Sequence, residues 1–265
     1  MKYSRWKPLK KIYASERAAE ISRFGQSVQG LFSESDLEGL PLPVRRYLEV
    51  CGFVGRKRMS NVQTHWKNVS LRRALNAGWM PISCEQFNSV AEPMRIACMR
   101  GRLFGIFPFE GRDIYQAGEG NMLIRLMKYI TVGDARGQAM NESSLVTLLA
   151  EAFLAPSYVL QDYIRWEEAD THSVKASITF NGIQVSGTFF FNEEGLMERF
   201  VSEDRNMVDQ DGTSRKLPWS AFAGDYFRQA DGLLVPGSLR AAWHLEEGDF
   251  EYYRGEITGL TFDVV

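Results

Sequence analysis

The chain has 265 residues, 45% of them hydrophobic and 24% charged, with a formal net charge of −2. A chain of this length can bury a large core without staples. The slightly acidic balance argues against a nucleic-acid-binding surface, and no run approaches the ~18 apolar residues of a membrane span. Its three cysteines, Cys51, Cys84 and Cys98, are odd in number and have no CxxC spacing. They therefore read as buried thiols of a reducing compartment rather than a disulfide framework.

The N-terminus is basic, with Lys2, Arg5, Lys7, Lys10 and Lys11 interleaved with Tyr3, Trp6 and Tyr13. Such a segment suits either a solvated arm or peripheral contact with an anionic membrane surface. Ser15 is placed to cap a helix from Glu16 to about Phe32, with Ala18, Ile21, Phe24, Val28 and Leu31 as its inward stripe. A shorter helix follows within Leu40–Gly52. Pro43 lies in its first turn, Gly52 stands past its end, and Val44, Tyr47, Leu48 and Cys51 face inward. Arg45 and Arg46 then point outward.

Strands begin near Asn61. Val62–Leu75 reads as a long strand with a bulge between Trp66 and Val69; Trp79–Val90 and Met94–Arg100 follow. Ile114-Tyr115 and Met122, Ile124 and Leu126 flank a Gly118-Glu119-Gly120 turn, and the second of these strands reads on through Ile130 and Val132 to Gly133. One helix interrupts the sheet, from an Asn141 cap to Ala155, with Leu145, Leu148, Leu149, Ala152 and Phe153 as its apolar stripe. Ile164–Trp166 is a strand. Ser173–Val201 is then a three-stranded meander: apolar side chains alternate on either side of Asn181-Gly182, a pair suited to a type I′ turn. Trp219–Arg228, Leu233–Leu245 and Phe250–Phe262 complete about a dozen strands. The absence of a βαβ rhythm makes the sheet antiparallel. The expected fold class is α+β: a large curved, mostly antiparallel sheet, an open half-barrel, with N-terminal helices and one central covering helix. Residues 1–57 supply the arm and helices, residues 58–265 the sheet, within one structural unit.

No nucleophile elbow, dinucleotide fingerprint or metal-ligand cluster is present in the sequence, and no cofactor is implied. His65, His172 and His244 are far apart in the chain. Asp134, Glu142 and Glu151 lie near the central helix, where Arg136 or Arg205 could answer them. That arrangement would suit acid–base work in a polar pocket or a structural ion pair.

Leu42-Pro43-Val44-Arg45-Arg46-Tyr47-Leu48 resembles a motif of the bacterial family of unknown function DUF6544. Gly111–Tyr115, Asp134–Gly137, Pro218-Trp219 with Asp225-Tyr226, and Trp243 with Phe250–Gly255 are similar to further segments of that family. The chain departs from it at Phe153-Leu154-Ala155, where relatives tend to carry a Trp before the proline aligned with Pro156. Relatives often have an N-terminal hydrophobic anchor. The sequence as it stands reads as cytoplasmic, and as membrane-anchored if such a segment precedes it. A looser similarity, at fold level, is to lipoprotein carriers of the LolA/LolB type, which implies helices plugging a strongly curved, unclosed sheet.

These readings lead to a non-enzymatic binder or carrier of an apolar or lipid-like molecule on the concave face of the sheet. Trp66, Ile96, Met122, Ile124, Leu126, Leu148, Phe153, Phe180, Phe189 and Trp243 are its candidate lining, with Glu151 and Arg205 as polar contacts. Two rivals stand beside it: an enzyme using Glu151 and Asp134 with an Arg, and a structural or partner-binding module. The inner side chains either wall a cavity or pack as core.

Overall fold

The structure, a computed structural model, describes residues 7–208 and 213–265. Lys2, Tyr3, Arg5 and Trp6 of the basic segment, and the middle of the polar Val208–Leu217 loop, lie outside the described residues. Three helices lead: α1 (Leu9–Phe24), α2 (Glu34–Glu38) and α3 (Leu42–Val50). Six strands follow as successive hairpins: β1 (Asn61–Leu71), β2 (Met80–Ser89), β3 (Met94–Leu103), β4 (Phe107–Gln116), β5 (Glu119–Leu126) and β6 (Ile130–Ala135). Helix α4 (Gln138–Ala150) continues into 3-10 turns at Ala152–Leu154 and Pro156–Leu160. Strands β7 (Ile164–Glu168), β8 (Ser173–Phe180), β9 (Ile183–Phe191) and β10 (Met197–Ser202) form the meander. Next come β11 (Asn206–Val208), β12 (Ser214–Lys216), β13 (Trp219–Gly224), β14 (Phe227–Arg228) and β15 (Leu234–Val235). The chain closes with β16 (Ser238–Leu245) and β17 (Gly248–Phe262).

Thirteen strands form one sheet in the order β6-β5-β4-β3-β2-β1-β17-β16-β13-β10-β9-β8-β7, every pairing antiparallel. Strands twist against one another with one hand, so a sheet this wide must curl. The curl makes it a half-barrel. Its closest approach is direct: the tip of the β8–β9 hairpin donates from Asn181 Nδ2 to the Ala117 carbonyl at the tip of β4–β5, 2.7 Å away. Asn181 and Gly182 hold φ of 47° and 77°, the left-handed pair that a type I′ turn requires.

Alternation sorts each strand into two faces. On β4, Phe109, Gly111, Asp113 and Tyr115 face inward with α4, whereas Glu110, Arg112, Ile114 and Gln116 face outward beneath α1. Helix α1 starts seven residues before the expected Glu16, is preceded by Pro8, and ends at Gly25 rather than near Phe32. Its buried stripe is Leu9, Ile12, Tyr13, Glu16 and Glu20; Ala18 is exposed and Val28 and Leu31 lie beyond its end. The reason is that outward-facing polar groups of β4 pair with the helix. Glu16 meets Arg112 at 3.1 Å, and Gln116 donates to Glu20 at 3.0 Å, so two acids occupy positions that hydrophobic spacing alone would give to apolar groups. Ile96, expected inside the curve, belongs to this outer layer with Tyr13, Phe87 and Ile114.

The main core lies inside the second half of the curl. Tyr47 of α3 packs 4.6 Å from the Phe153 ring; Phe153 meets Phe189 at 5.0 Å and Phe191 at 5.5 Å, and Phe189 meets Phe200 at 4.6 Å. Ring pairs tilted or edge-on at these separations are favourable beyond their area burial. Helix α4 begins after Gly137 and not at Asn141, whose Oδ1 instead accepts from the Gly120 N–H at 2.7 Å. The expected continuation of β5 through Ile130 also fails. Met127 and Lys128 take φ of 52° and 68°, reversing the chain into β6 with no glycine or asparagine to announce the turn.

Burial raises the pKa of Glu20, an effect that outweighs its hydrogen bond from Gln116, with Glu92 adding to the rise and Arg23 opposing it. Stability from this group is therefore present below the ordinary carboxylate range and is lost as pH rises through the raised value. Glu20→Gln should have a higher Tm than the parent at pH 7, with the difference shrinking as pH falls below the ordinary carboxylate range. Parallel thermal melts across that range check the sign.

Candidate functional site

Helix α4 divides the concave face. It rests on β4 and β5 on one side and on β8 and β9 on the other, so most of its circumference is buried. On the β8–β10 side everything is filled: Leu148, Phe153 and Phe189 are at most 2% exposed and pack against one another's neighbours. Phe180, at the end of β8, lies against Tyr163 with ring centres 6.3 Å apart. The structure thus places Leu148, Phe153 and Phe189 in the core and Phe180 half-buried against it.

On the β1–β6 side the inner face stays half open. Trp66, Ile82, Cys84, Met99, Met122, Ile124 and Leu126 are all half-buried. Alternation and register put them on one continuous surface: Cys84 pairs with Met99, Met99 with Gly111, and Gly111 with Ile124. Gly111 has no side chain, and the Met99 and Met122 methyls fill the space above it at 3.6–3.7 Å from where a Cβ would be. Trp66 follows Val62 and Thr64 onto this surface by alternation, and Tyr253 meets it edge-on at 5.7 Å; the β1 bulge beyond it, where Asn68 holds φ of 50°, brings Val69 onto the same face. Burial pushes the Cys84 thiol up to about 12, so it stays protonated and behaves as an apolar wall. Thr64 Oγ1, Trp66 Nε1 and Tyr115 Oη are buried on this face without a protein hydrogen-bond partner. Buried polar groups seldom go unpaired, and these mark the stretch where the protein's own groups do not complete the interior.

The trough ends on a charged cluster. Glu151 Oε2 accepts from Arg95 Nε at 2.8 Å, Gln86 Nε2 at 2.8 Å and Asn88 Nδ2 at 3.3 Å. Arg95 Nη1 also donates to Asp113 at 2.8 Å. Burial works against the Arg95 charge, but the two carboxylates outweigh it and raise its pKa further, so it remains cationic. The cluster fastens the C-terminal end of α4 to β2, β3 and β4. It also explains how an acid is tolerated at a helix terminus whose dipole disfavours it. Arg95 was not singled out in the sequence, because its register opposite Tyr115 and beneath Glu151 depends on three separate strands.

The other candidate polar residues lie elsewhere. Asp134 faces outward, bonded to Asn121 at 2.7 Å and Arg136 at 2.9 Å, on the side of β6 away from Glu151. Arg205 does not reach Glu151. It donates to the Ser143 carbonyl and to Thr147 on the flank of α4, and stacks over Trp219 at 4.5 Å and Trp243 at 5.6 Å. Glu142 meets Asn206 at 3.0 Å and Lys216 at 3.6 Å. The carboxylate pair imagined for an enzyme is therefore not assembled. Ser220, His244 and Asp249 do line up, at 2.7 and 2.6 Å, in the manner of an acyl-transfer triad. Ser220 is fully buried on the outer face and Asp249 largely exposed, so no substrate carbonyl can reach the hydroxyl and the acid is not sheltered. Among the described residues no group of three or more His, Cys, Asp or Glu converges as a metal site, and no helix is long and apolar enough to cross a membrane.

An open hollow of about 680 Å³ adjoins the trough through Ile82 and Gly101, bounded by Leu71, Trp79, Met80, Leu103 and Phe104 with Arg73, Arg100 and Arg102 around it. A second, of about 400 Å³, lies between the Gly25–Leu31 segment and Lys57, Arg58 and Asp263.

A curled antiparallel half-barrel with one helix lodged in its concavity defines the class of protein. Over residues 30–255 the chain matches the model of a family of unknown function, DUF6544, and it belongs to that family. No curated protein matches it. Among solved structures, a domain from Vibrio parahaemolyticus described as an outer membrane lipoprotein-sorting protein is 12% identical, with 77% of this chain and 85% of that chain covered and a TM-score of 0.36. A DUF1329 family protein from Desulfovibrio piger is 11% identical, with 85% and 94% covered and a TM-score of 0.43.

Breaking a buried pair by removing one partner costs ~3–5 kcal/mol, whereas an exposed pair is worth at most about 1 kcal/mol. Glu151→Ala should therefore lower the unfolding free energy by about 3 kcal/mol, and Asp134→Ala by less than about 1 kcal/mol. Urea titrations of the two variants give the comparison.

Proposed function

We propose that this protein binds an apolar or lipid-like molecule without chemically transforming it, in the half-open trough on the β1–β6 side of the concave face. One observation carries the reading. The second half of the concave face is filled by the protein's own aromatic side chains, while Trp66, Met99, Met122, Ile124 and Leu126 form an apolar surface that α4 leaves half uncovered. Binding sites of this kind are concave and mostly apolar, with a few polar groups at one end. Here those groups are Arg95, Glu151, Asp113, Gln86 and Asn88. The adjoining hollow of about 680 Å³ gives the ligand room to extend toward the edge of the sheet.

The driving force is burial of acyl or aromatic surface at ~25 cal/mol per Å². Losing ~60 Å² of such contact costs about 1.5 kcal/mol, or roughly tenfold in affinity. Titration with the apolar dye phenylnaphthylamine should give a saturable rise in fluorescence. Met122→Arg and Ile124→Arg should each weaken binding at least about tenfold. A dye signal that does not saturate, or that both variants leave unchanged, contradicts the reading.

A further inference from the structure

Ten large hydrophobic side chains are exposed among the described residues, and seven of them lie on two neighbouring hairpin tips. Phe104, Ile106 and Phe107 stand at the β3–β4 tip, 75%, 67% and 47% exposed. Met127, Tyr129, Ile130 and Val132 stand at the β5–β6 tip and along β6, 47–59% exposed. The tips touch, since the Met127 N–H donates to the Pro108 carbonyl at 2.8 Å. Scattered exposed apolar residues are normal on a soluble protein; a contiguous cluster is not.

Charge around the patch is one-sided. Segments 71–84, 99–109 and 125–133 form this end of the first half-sheet. They contain Arg72, Arg73, Arg100, Arg102, Arg125 and Lys128 and no Asp or Glu, in a chain whose net charge is −2. Arg100 answers Glu85, Arg125 is buried against the Lys7 carbonyl, and Arg72 stacks on Trp79 and Phe250. Arg73, Arg102 and Lys128 remain exposed beside the apolar tips, and Arg73 stacks on Phe104 at 5.3 Å. The acidic turn bearing Glu246 and Glu247 joins β16 to β17, on the far side of β1 from the β3–β4 tip.

The backbone holds these groups outward. The β3–β4 tip turns on Phe104 at φ 52° and Gly105 at 74°, and the β5–β6 tip on Met127 and Lys128, all left-handed. Such turns favour Asn or Gly, and a bulky residue in that region is strained. Large apolar and basic side chains thus stand at turn positions where small ones would be less strained.

We propose that the β3–β4 and β5–β6 tips form a docking surface for an anionic lipid bilayer. Phe104, Ile106 and Met127 enter the interface between headgroups and acyl chains, and Arg73, Arg102 and Lys128 lie at the phosphate level. Apolar burial and attraction to anionic lipid add in such binding. The occupant is a membrane and not a second copy of the chain, because the three exposed cations Arg73, Arg102 and Lys128, with no exposed acid among these segments, repel an identical face and complement an anionic one. The assignment adds a surface beyond the trough, sharing Arg73, Arg102 and Phe104 with the rim of the adjoining hollow, and stands whether or not the trough holds a ligand.

Sedimentation with vesicles tests it. The protein should pellet with phosphatidylcholine vesicles containing about a quarter phosphatidylglycerol at about 0.1 M salt, and at least about fivefold less with phosphatidylcholine alone. Phe104→Ser/Ile106→Ser and Arg102→Glu/Lys128→Glu should each cut the bound fraction at least about fivefold while keeping the parental Tm, since all four side chains are exposed. Failure of the parent to pellet with anionic vesicles, or equal pelleting by both folded variants, overturns the proposal. So does a parent that elutes as a dimer in size-exclusion chromatography, becomes monomeric on the Phe104→Ser/Ile106→Ser change, and binds no vesicles. Dye binding in the trough is scored separately, so either reading can fail alone.

Discussion

The architecture depends on one contact: α4 lying against Gly120 of β5. A Cβ at that position would come within 2.5 Å of the Met140 carbonyl and 2.6 Å of Ser144 Oγ, so only glycine lets the helix approach. From that seat α4 also reaches β9, nine places further along the same sheet. A helix can bridge such distant strands only if the sheet bends around it, and the Asn181–Ala117 hydrogen bond closes the bend at the rim. The Arg95–Glu151 pair then fastens the other end of the helix.

The same seat decides what the concave face can do. Phe153 follows α4 into the second half of the curl, where Phe189, Phe191, Tyr47 and Trp166 surround it and leave no space. In the first half α4 seats on β5 at Gly120 and its end carries the polar cluster, and beyond these the inner methionines, isoleucines and Trp66 stay half exposed. Filled core and open trough are two outcomes of one helix position. The outer layer is a separate arrangement, in which α1 covers β2, β3 and β4 through apolar packing, the buried Glu16–Arg112 ion pair and the Gln116–Glu20 hydrogen bond.

Much of this was legible in the sequence where local chemistry and global fold agree. The Ser173–Val201 meander alternates cleanly and turns on Asn-Gly; Leu42–Val50 carries its proline and following glycine where a helix needs them, and Val44, Tyr47, Leu48 and Cys51 are fully buried. Reading failed where partners lie far along the chain. Glu16 and Glu20 look like solvent positions until Arg112 and Gln116 are brought beneath them. Met127-Lys128 carries no turn signature, so β5 and β6 looked like one strand. Within the site, strand parity placed Trp66, Met122, Ile124 and Phe189 on the inner face and helical spacing added Phe153, but periodicity gives a face and not a depth. Glu151 stood out as a polar candidate, while its partner Arg95 is set by strand register and could not be distinguished from any other arginine. The capping box at Ser33 and Asp36, which starts α2, was present in the sequence but unread.

The central claim is that ligand enters the β1–β6 trough and that the β8–β10 core stays shut. Methyl NMR during titration with phenylnaphthylamine observes both halves at once. The Met99, Met122 and Ile124 methyl resonances should shift and saturate together, while those of Ile178, Val185 and Met197 stay in place. Shifts in the second group, or none in the first at saturating dye, would contradict the division of the concave face set out above.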